Sequence, residues 1–391
     1  MHLVFLDSLS SSLGGMRLLA AVSYLSLLFP LTQSFVTETS VCLARKHVSL
    51  RMASASSSSS SSKTTDVAAK ARAMGLFWRT PLIQSAPLTE KCGRPVYLKL
   101  DALQASGSFK DRGMAHLCTA LLDKGVTKLV SSSGGNAGLA VTTVATQLQE
   151  LQVQVVVPTT TKPMVVDKLQ SMGADVTIHG ENWNAADLLA RQRVDEDPTA
   201  SYVSPYDNTL LWTGHSTLID ELVQDLNDTP FTLVASVGGG GLLCGALEGL
   251  DRNKAFGGAL VAAETEGAAS FGKAWEKGEI VRLEAIDSVA TSLGALEVTP
   301  VALERARQYQ QAGGTFDTAI CNDAEAVHAC WQFAADHRLL VEPACGAALA
   351  TAYSERLRKN LPNKGPLVLQ VCGGSGVNVE LLSQWRQDNP L

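Results

Sequence analysis

The chain has 391 residues, enough for one large or two medium domains, each with its own hydrophobic core. An apolar fraction of 46% with 18% charged residues excludes a disordered or fibrous chain and fits a soluble globular enzyme. The net charge of −6 is unevenly placed: residues 1–75 hold seven Lys or Arg against three Asp or Glu, leaving about −10 on the rest and no general field for nucleic acid.

The leader differs in character from the remainder of the chain. Arg17 precedes an apolar run from Leu18 to Leu31, too short and interrupted for a stable membrane span and closer to the core of a signal peptide. Next come Arg45, Lys46 and Arg51, then Ser54 to Ser62, where eight of nine residues are serine. Such a run buries no apolar surface and is predicted to be disordered. Residues 1–75 resemble the two-part presequences of plastids, with Phe35 near the cut, which implies an organellar address. A plain secretory signal and a misassigned start codon are the alternatives.

From Pro95 the chain alternates short β-like runs with helical periodicity. Strands are predicted over Pro95–Leu100, Lys128–Ser132, Val153–Val157 and Ala174–Ile178. Helices are predicted over Phe109–Lys124, Ala137–Leu148, up to Met172, and over Trp183–Val194. A second series runs from a helix at Thr213–Leu226 through strands Thr232–Val237 and Leu260–Glu264, with a helix to Leu250 between them. Helices over Val301–Gln311, Asp323–His337 and Gly346–Lys359 and a strand at Leu367–Val371 complete it. This rhythm predicts an α/β fold: two open parallel-sheet units with a cleft between them. The eight cysteines show no C-x-x-C or zinc-ligand spacing and read as small buried residues of a reducing compartment.

Three glycine-bearing segments each follow a predicted strand: Ser131–Gly138, Gly238–Leu242 and Cys372–Gly376. The carboxyl ends of parallel strands line the ligand crevice, so the three loops are expected to share one site. The four glycines Gly238, Gly239, Gly240 and Gly241 leave backbone N–H groups bare at a helix start, which suits a phosphate. No Gly-Lys-Ser/Thr follows, so this is not a Walker loop. Lys110, in Ser106-Gly107-Ser108-Phe109-Lys110-Asp111-Arg112-Gly113, opens a predicted helix, where a cation opposes the helix dipole.

Together with Val341-Glu342-Pro343-Ala344-Cys345-Gly346 and Trp212-Thr213-Gly214-His215, these motifs resemble the serine dehydratase branch of the fold-type II (tryptophan synthase β-like) pyridoxal-phosphate enzymes, from about Arg79 to Gln384. The resemblance implies a large cofactor-binding domain from 76–103 and 209–391, a small domain from 104–208, and a homodimer without a stable membrane domain. It implies pyridoxal 5′-phosphate held as a Schiff base on Lys110, which later takes the substrate α-proton. Phe109 would lie on the ring, Asn136 would bond its 3′ oxygen, Gly238 to Leu242 would hold the phosphate, and Cys372 would face the pyridine nitrogen. Ser133, Gly134, Gly135, Asn136 and Ala137 would receive the substrate carboxylate. Glu264, Ala268 and Ser270, with backbone at Gly238, Leu293 and Ala295, match the family's cation site, for potassium or a divalent ion. A capping role is the alternative for Glu264.

The activity so implied is elimination of water and ammonia from L-serine, giving pyruvate, with some L-threonine turnover. L-threonine dehydratase and a non-catalytic cofactor-binding relative are the alternatives. Two positions depart from the liver-type members: Gly134 stands for alanine and is expected to widen the pocket, and Ser292 stands for a small apolar residue behind the ring.

Overall fold

The computed structural model describes residues 61–391. It opens with α1 (Ser61–Ala73), β1 (Leu82–Gln84), α2 (Ala86–Cys92), β2 (Val96–Lys99) and α3 (Lys110–Leu122). There follow β3 (Lys128–Ser131), α4 (Asn136–Leu148), β4 (Gln152–Val157), α5 (Pro163–Ser171), β5 (Asp175–Ile178), α6 (Trp183–Asp195), β6 (Ala200–Tyr202) and α7 (Thr209–Asp225). The next elements are β7 (Thr232–Ser236), α8 (Gly241–Arg252), β8 (Ala259–Thr265), α9 (Ser270–Lys277), α10 (Pro300–Gln311) and β9 (Thr315–Cys321). The chain closes with α11 (Asp323–His337), α12 (Pro343–Tyr353), α13 (Glu355–Arg358), β10 (Leu367–Gln370) and α14 (Val379–Asp388).

Two sheets form. The larger runs β1-β2-β10-β7-β8-β9 and the smaller β5-β4-β3-β6. Every pairing is parallel except the edge pair β1–β2. Period-2 geometry explains how the larger sheet is covered on both sides. Leu233, Ala235, Leu260 and Ala262 enter one core, while Val234, Val261, Ala263 and Leu369 enter the other. The second core surrounds α12, whose small side chains from Pro343 to Ala352 are all buried and let the helix lie close beneath the strands.

Two sequence expectations are corrected. The folded body begins before residue 76: α1 packs on α3 and α7, Ala71 is fully buried, and Arg72 pairs with Glu221 at 2.5 Å. The serine run up to Ser60, like the rest of the leader before it, lies outside the described residues. The helix expected over Gly346–Lys359 is two helices, because the Ser354 hydroxyl caps a new turn by accepting the Leu357 N–H at 3.5 Å.

Candidate active site

Lys110 sits where two distant stretches of chain are tied together. The Phe109 N–H donates to the Cys372 carbonyl at 3.0 Å, and the Gly374 N–H donates to the Gly107 carbonyl at 2.9 Å. The Ser375 hydroxyl donates to the Ser106 carbonyl, and Ser108 bridges Gly373 in antiparallel fashion. Gly107 is left-handed at φ 85°, and a methyl there would fall 2.8 Å from the Ser375 oxygen, so only glycine suits both demands. The lysine amine donates to the Pro205 carbonyl at 2.6 Å and lies 5.0 Å from the Phe109 ring centre. Burial lowers its pKa to about 8, which poises it to act as a nucleophile and base near neutrality.

Support for that lysine comes from behind. Phe109 rests on the His215 ring, 5.0 Å away and tilted by 53°. Gly113 leaves room for that imidazole, since a methyl would collide with its Cε1. Burial drives the His215 pKa well below its usual value and keeps the ring neutral. Asp111 is buried as well; burial pushes its carboxyl up to about 6, and one oxygen accepts the Ser106 N–H at 2.8 Å.

The tetraglycine loop is bare for steric reasons on every side. A Cβ on Gly238 would meet the Leu293 backbone at 3.0 Å, and one on Gly239 would strike the Tyr206 ring. On Gly240, at φ 92°, it would meet Val298 at 2.8 Å, and on Gly241 the Tyr206 carbonyl at 2.6 Å. The loop therefore presents only backbone at the head of α8, whose first N–H groups have no partner within the helix. Leu242 is buried in the hydrophobic core, so its backbone alone is available to a ligand.

Asn136, the first residue of α4, is held from both ends. Its Oδ1 accepts the Ser375 N–H at 2.9 Å, and its Nδ2 donates to Glu342 at 3.0 Å. Glu342 also accepts the Ser292 hydroxyl at 2.5 Å and the Gly376 N–H at 2.6 Å. Ser292, itself exposed, thus reaches in to a buried carboxylate. Cys372 is 7% exposed, and a hydrogen bond with Cys345, reinforced by burial, raises its pKa well above the usual thiol value. It remains a neutral thiol.

The remaining expected site residues divide. A methyl on Gly135 would meet nothing closer than the Ser133 oxygen at 3.9 Å, so this position opens to free space. A methyl on Gly134 would instead meet Val157 at 3.1 Å and Thr161 at 3.4 Å. The expectation that Gly134 widens the pocket is therefore corrected: its bare side faces the packing of the small sheet. Ala137 is buried, and Ser133 is half-buried at the loop. Glu264 accepts the N–H groups of Phe271 and Gly272 at 2.9 and 2.6 Å and so caps α9. Burial also pushes its carboxyl up to about 8, and the buried Ser270 hydroxyl beside it has no partner. A carboxyl so raised is largely protonated near neutrality; Ala268 is buried close by in sequence, and Leu293 and Ala295 lie on the segment that touches Gly238.

Glu342, Ser375, Tyr206 and the Pro205 carbonyl belong to the site although motif reading did not single them out. For Glu342 a signal exists: an acid immediately before the proline that opens a helix. The carbonyl of Pro205 leaves no trace in side-chain identity.

A lysine amine of lowered pKa, a bare backbone loop at a helix head, and an amide and a neutral thiol near the lysine loop fit pyridoxal phosphate. The family model described as "Pyridoxal-phosphate dependent enzyme" matches residues 74–373. The fold and site thus define a fold-type II pyridoxal-phosphate enzyme. A human "Serine dehydratase-like" protein is 41% identical over 76% of this chain and 91% of its own length. Human "L-serine dehydratase/L-threonine deaminase" is 39% identical over 78% and 93%. The crystal structure of a fungal L-serine ammonia-lyase from Rhizomucor miehei superposes with a TM-score of 0.73 at 33% identity, covering 80% of this chain and 99% of that one. The chain belongs to the serine/threonine dehydratase-like family.

Proposed function

We propose that this chain is an L-serine dehydratase, converting L-serine to pyruvate and ammonia, with some activity on L-threonine. The observation that carries the reading is Lys110: a half-buried lysine whose amine has its pKa lowered by desolvation to about 8 and is bonded to a carbonyl rather than to an acid. An acid partner would hold the proton on the amine, whereas a carbonyl only orients it. The similarity to proteins named for serine and threonine dehydration supports the substrate class.

When bound, pyridoxal phosphate supplies the electron sink that makes the substrate α-hydrogen acidic. The Gly238–Gly241 backbone would hold its phosphate and Phe109 would pack against its ring. Lys110 would hold the cofactor covalently and would serve as the base, its amine oriented by the Pro205 carbonyl. The N-terminus of α4, from Ser133 to Ala137, offers N–H groups and a favourable dipole to the substrate carboxylate. Cys372, a neutral thiol, would face the ring nitrogen without placing a full charge on it.

A cation at Glu264 and Ser270 belongs to the same proposal. Potassium should raise turnover and melting temperature relative to tetramethylammonium, and no difference would remove the cation. A homodimer and an organellar address are tested by sedimentation and by imaging a leader fusion. Among the described residues no helix is long and apolar enough to cross a membrane.

The decisive experiment measures pyruvate and 2-oxobutanoate over a panel of amino acids. Preferred pyruvate formation from L-serine supports the reading. Preferred 2-oxobutanoate from L-threonine would make the chain a threonine dehydratase, and no turnover by cofactor-loaded protein would leave a binding relative.

A further inference from the structure

Three donors converge on Glu342, a residue 6% exposed at the head of α12. Its Oε1 takes the Gly376 N–H, and its Oε2 takes both the Asn136 amide and the Ser292 hydroxyl. A carboxylate accepts at both oxygens and satisfies all three. A glutamine would set its own NH2 against one of them.

The consequence falls on Asn136. A main-chain N–H, that of Ser375, fixes which end of the Asn136 amide is the carbonyl. The amino end then faces Glu342, which takes one of its two hydrogens. The second hydrogen is the free donor on that nitrogen. We infer that Glu342 is a positioning residue: together with the Ser375 N–H it holds the Asn136 amide one way round, so that Asn136 offers an N–H to the ring oxygen of pyridoxal phosphate. An N–H there favours the deprotonated ring oxygen, since a charge-assisted hydrogen bond is the stronger one. Ser292 supplies the third donor to that carboxylate. The inference rests on the proposed contact between Asn136 and the cofactor.

The chemistry predicts a specific swap. In Glu342→Gln alone, one donor faces another at Gly376, or Asn136 turns over and confronts the Ser375 N–H. In the double variant Asn136→Asp with Glu342→Gln, the Ser375 and Gly376 N–H groups and the glutamine amino group each again face an acceptor, and the rotatable Ser292 hydroxyl turns to accept the glutamine's second hydrogen. The carboxylate introduced at position 136 would take the Ser375 N–H and the amino group of the glutamine introduced at position 342, but it has no hydrogen to offer the cofactor.

The experiment titrates pyridoxal phosphate into the cofactor-free full chain and follows bound-cofactor absorbance. The melting temperature of each cofactor-free variant is measured beside it. Glu342→Gln should weaken cofactor binding at least about tenfold, the loss of one charge-assisted hydrogen bond. The swapped pair should recover most of the parental melting temperature yet bind cofactor as weakly as Asn136→Ala. Binding within about twofold of the parent by Glu342→Gln, or recovery of affinity by the swapped pair, would overturn the inference. Should Glu342→Gln fail to fold, the swapped pair compared with Asn136→Ala decides alone, and a swapped pair that also fails to fold refutes the satisfied network drawn here. Unchanged affinity in Asn136→Ala would instead refute the underlying cofactor contact.

Discussion

Arg112 grips Glu221 end-on: its Nη1 and Nη2 donate to Oε1 and Oε2 at 2.9 and 2.8 Å, and neither side chain reaches solvent. The same guanidinium reaches Asp101 at 2.8 Å, and buried Lys99 pairs with Glu221 at 2.7 Å. Burial alone would raise the Asp101 pKa, but Arg112 outweighs it and holds that carboxyl below its ordinary value. The cluster locks the helix that begins at Lys110 against α7 and the end of β2.

Arg112→Met should cost about 3–5 kcal/mol, because it strands buried carboxylates while keeping most of the volume. Denaturant unfolding measures this directly. A loss below about 1 kcal/mol, the range of an exposed pair, would show that the cluster relaxes or takes up water.

Truncation separates leader from body. A chain beginning at Ser61 should melt with the full-length protein, whereas one beginning at Ala73 loses the buried Ala71 and the Arg72 contact to Glu221. The expected difference is about 1–2 kcal/mol, chiefly lost apolar burial. Equal melting temperatures for the two truncations would make α1 dispensable.

Lys110 sets a pH dependence. Its neutral form attacks the cofactor aldehyde, and its pKa is lowered to about 8. Covalent capture of pyridoxal phosphate by the cofactor-free protein should therefore quicken as pH rises and level off above about 8. Borohydride trapping over a pH series gives the curve, and continued acceleration toward pH 10 would indicate an ordinary exposed lysine. Lys110→Ala should abolish both capture and turnover.

The adjacent glycines should part company. Gly134→Ala presses on Val157 and should cost about 1–3 kcal/mol as overpacking, with similar losses of kcat/KM for L-serine and L-threonine. Gly135→Ala points into open space and should alter the ratio of the two. A ratio that moves only in Gly134→Ala would reverse this assignment.

Much of the architecture was legible because buried parallel strands leave plain apolar runs. The strand at Leu367–Val371 and the helix at Asp323–His337 fall within a residue of expectation. The three-residue strands β1 and β6 were not legible, since runs so short carry no period. Gly134 misled because a missing side chain has no direction until the backbone around it is placed. Glu342 stands inside a recognisable motif, yet its role depends on donors from residues 136, 292 and 376, which only the fold brings together.

The strand at the centre of the large sheet, β10, lies between β2 and β7 and is the last in chain order of the strands among the described residues. The Lys110 loop takes its backbone partners from the residues just beyond it. A nascent chain therefore displays the lysine, the amide and the glycine cradle long before they can be assembled, and cofactor loading must await β10 and the loop that follows it. A polypeptide stopped short of Leu367 would keep nearly every recognisable motif and still lack a site. In a genetic screen, late nonsense alleles of this gene should behave as complete losses, indistinguishable from early ones.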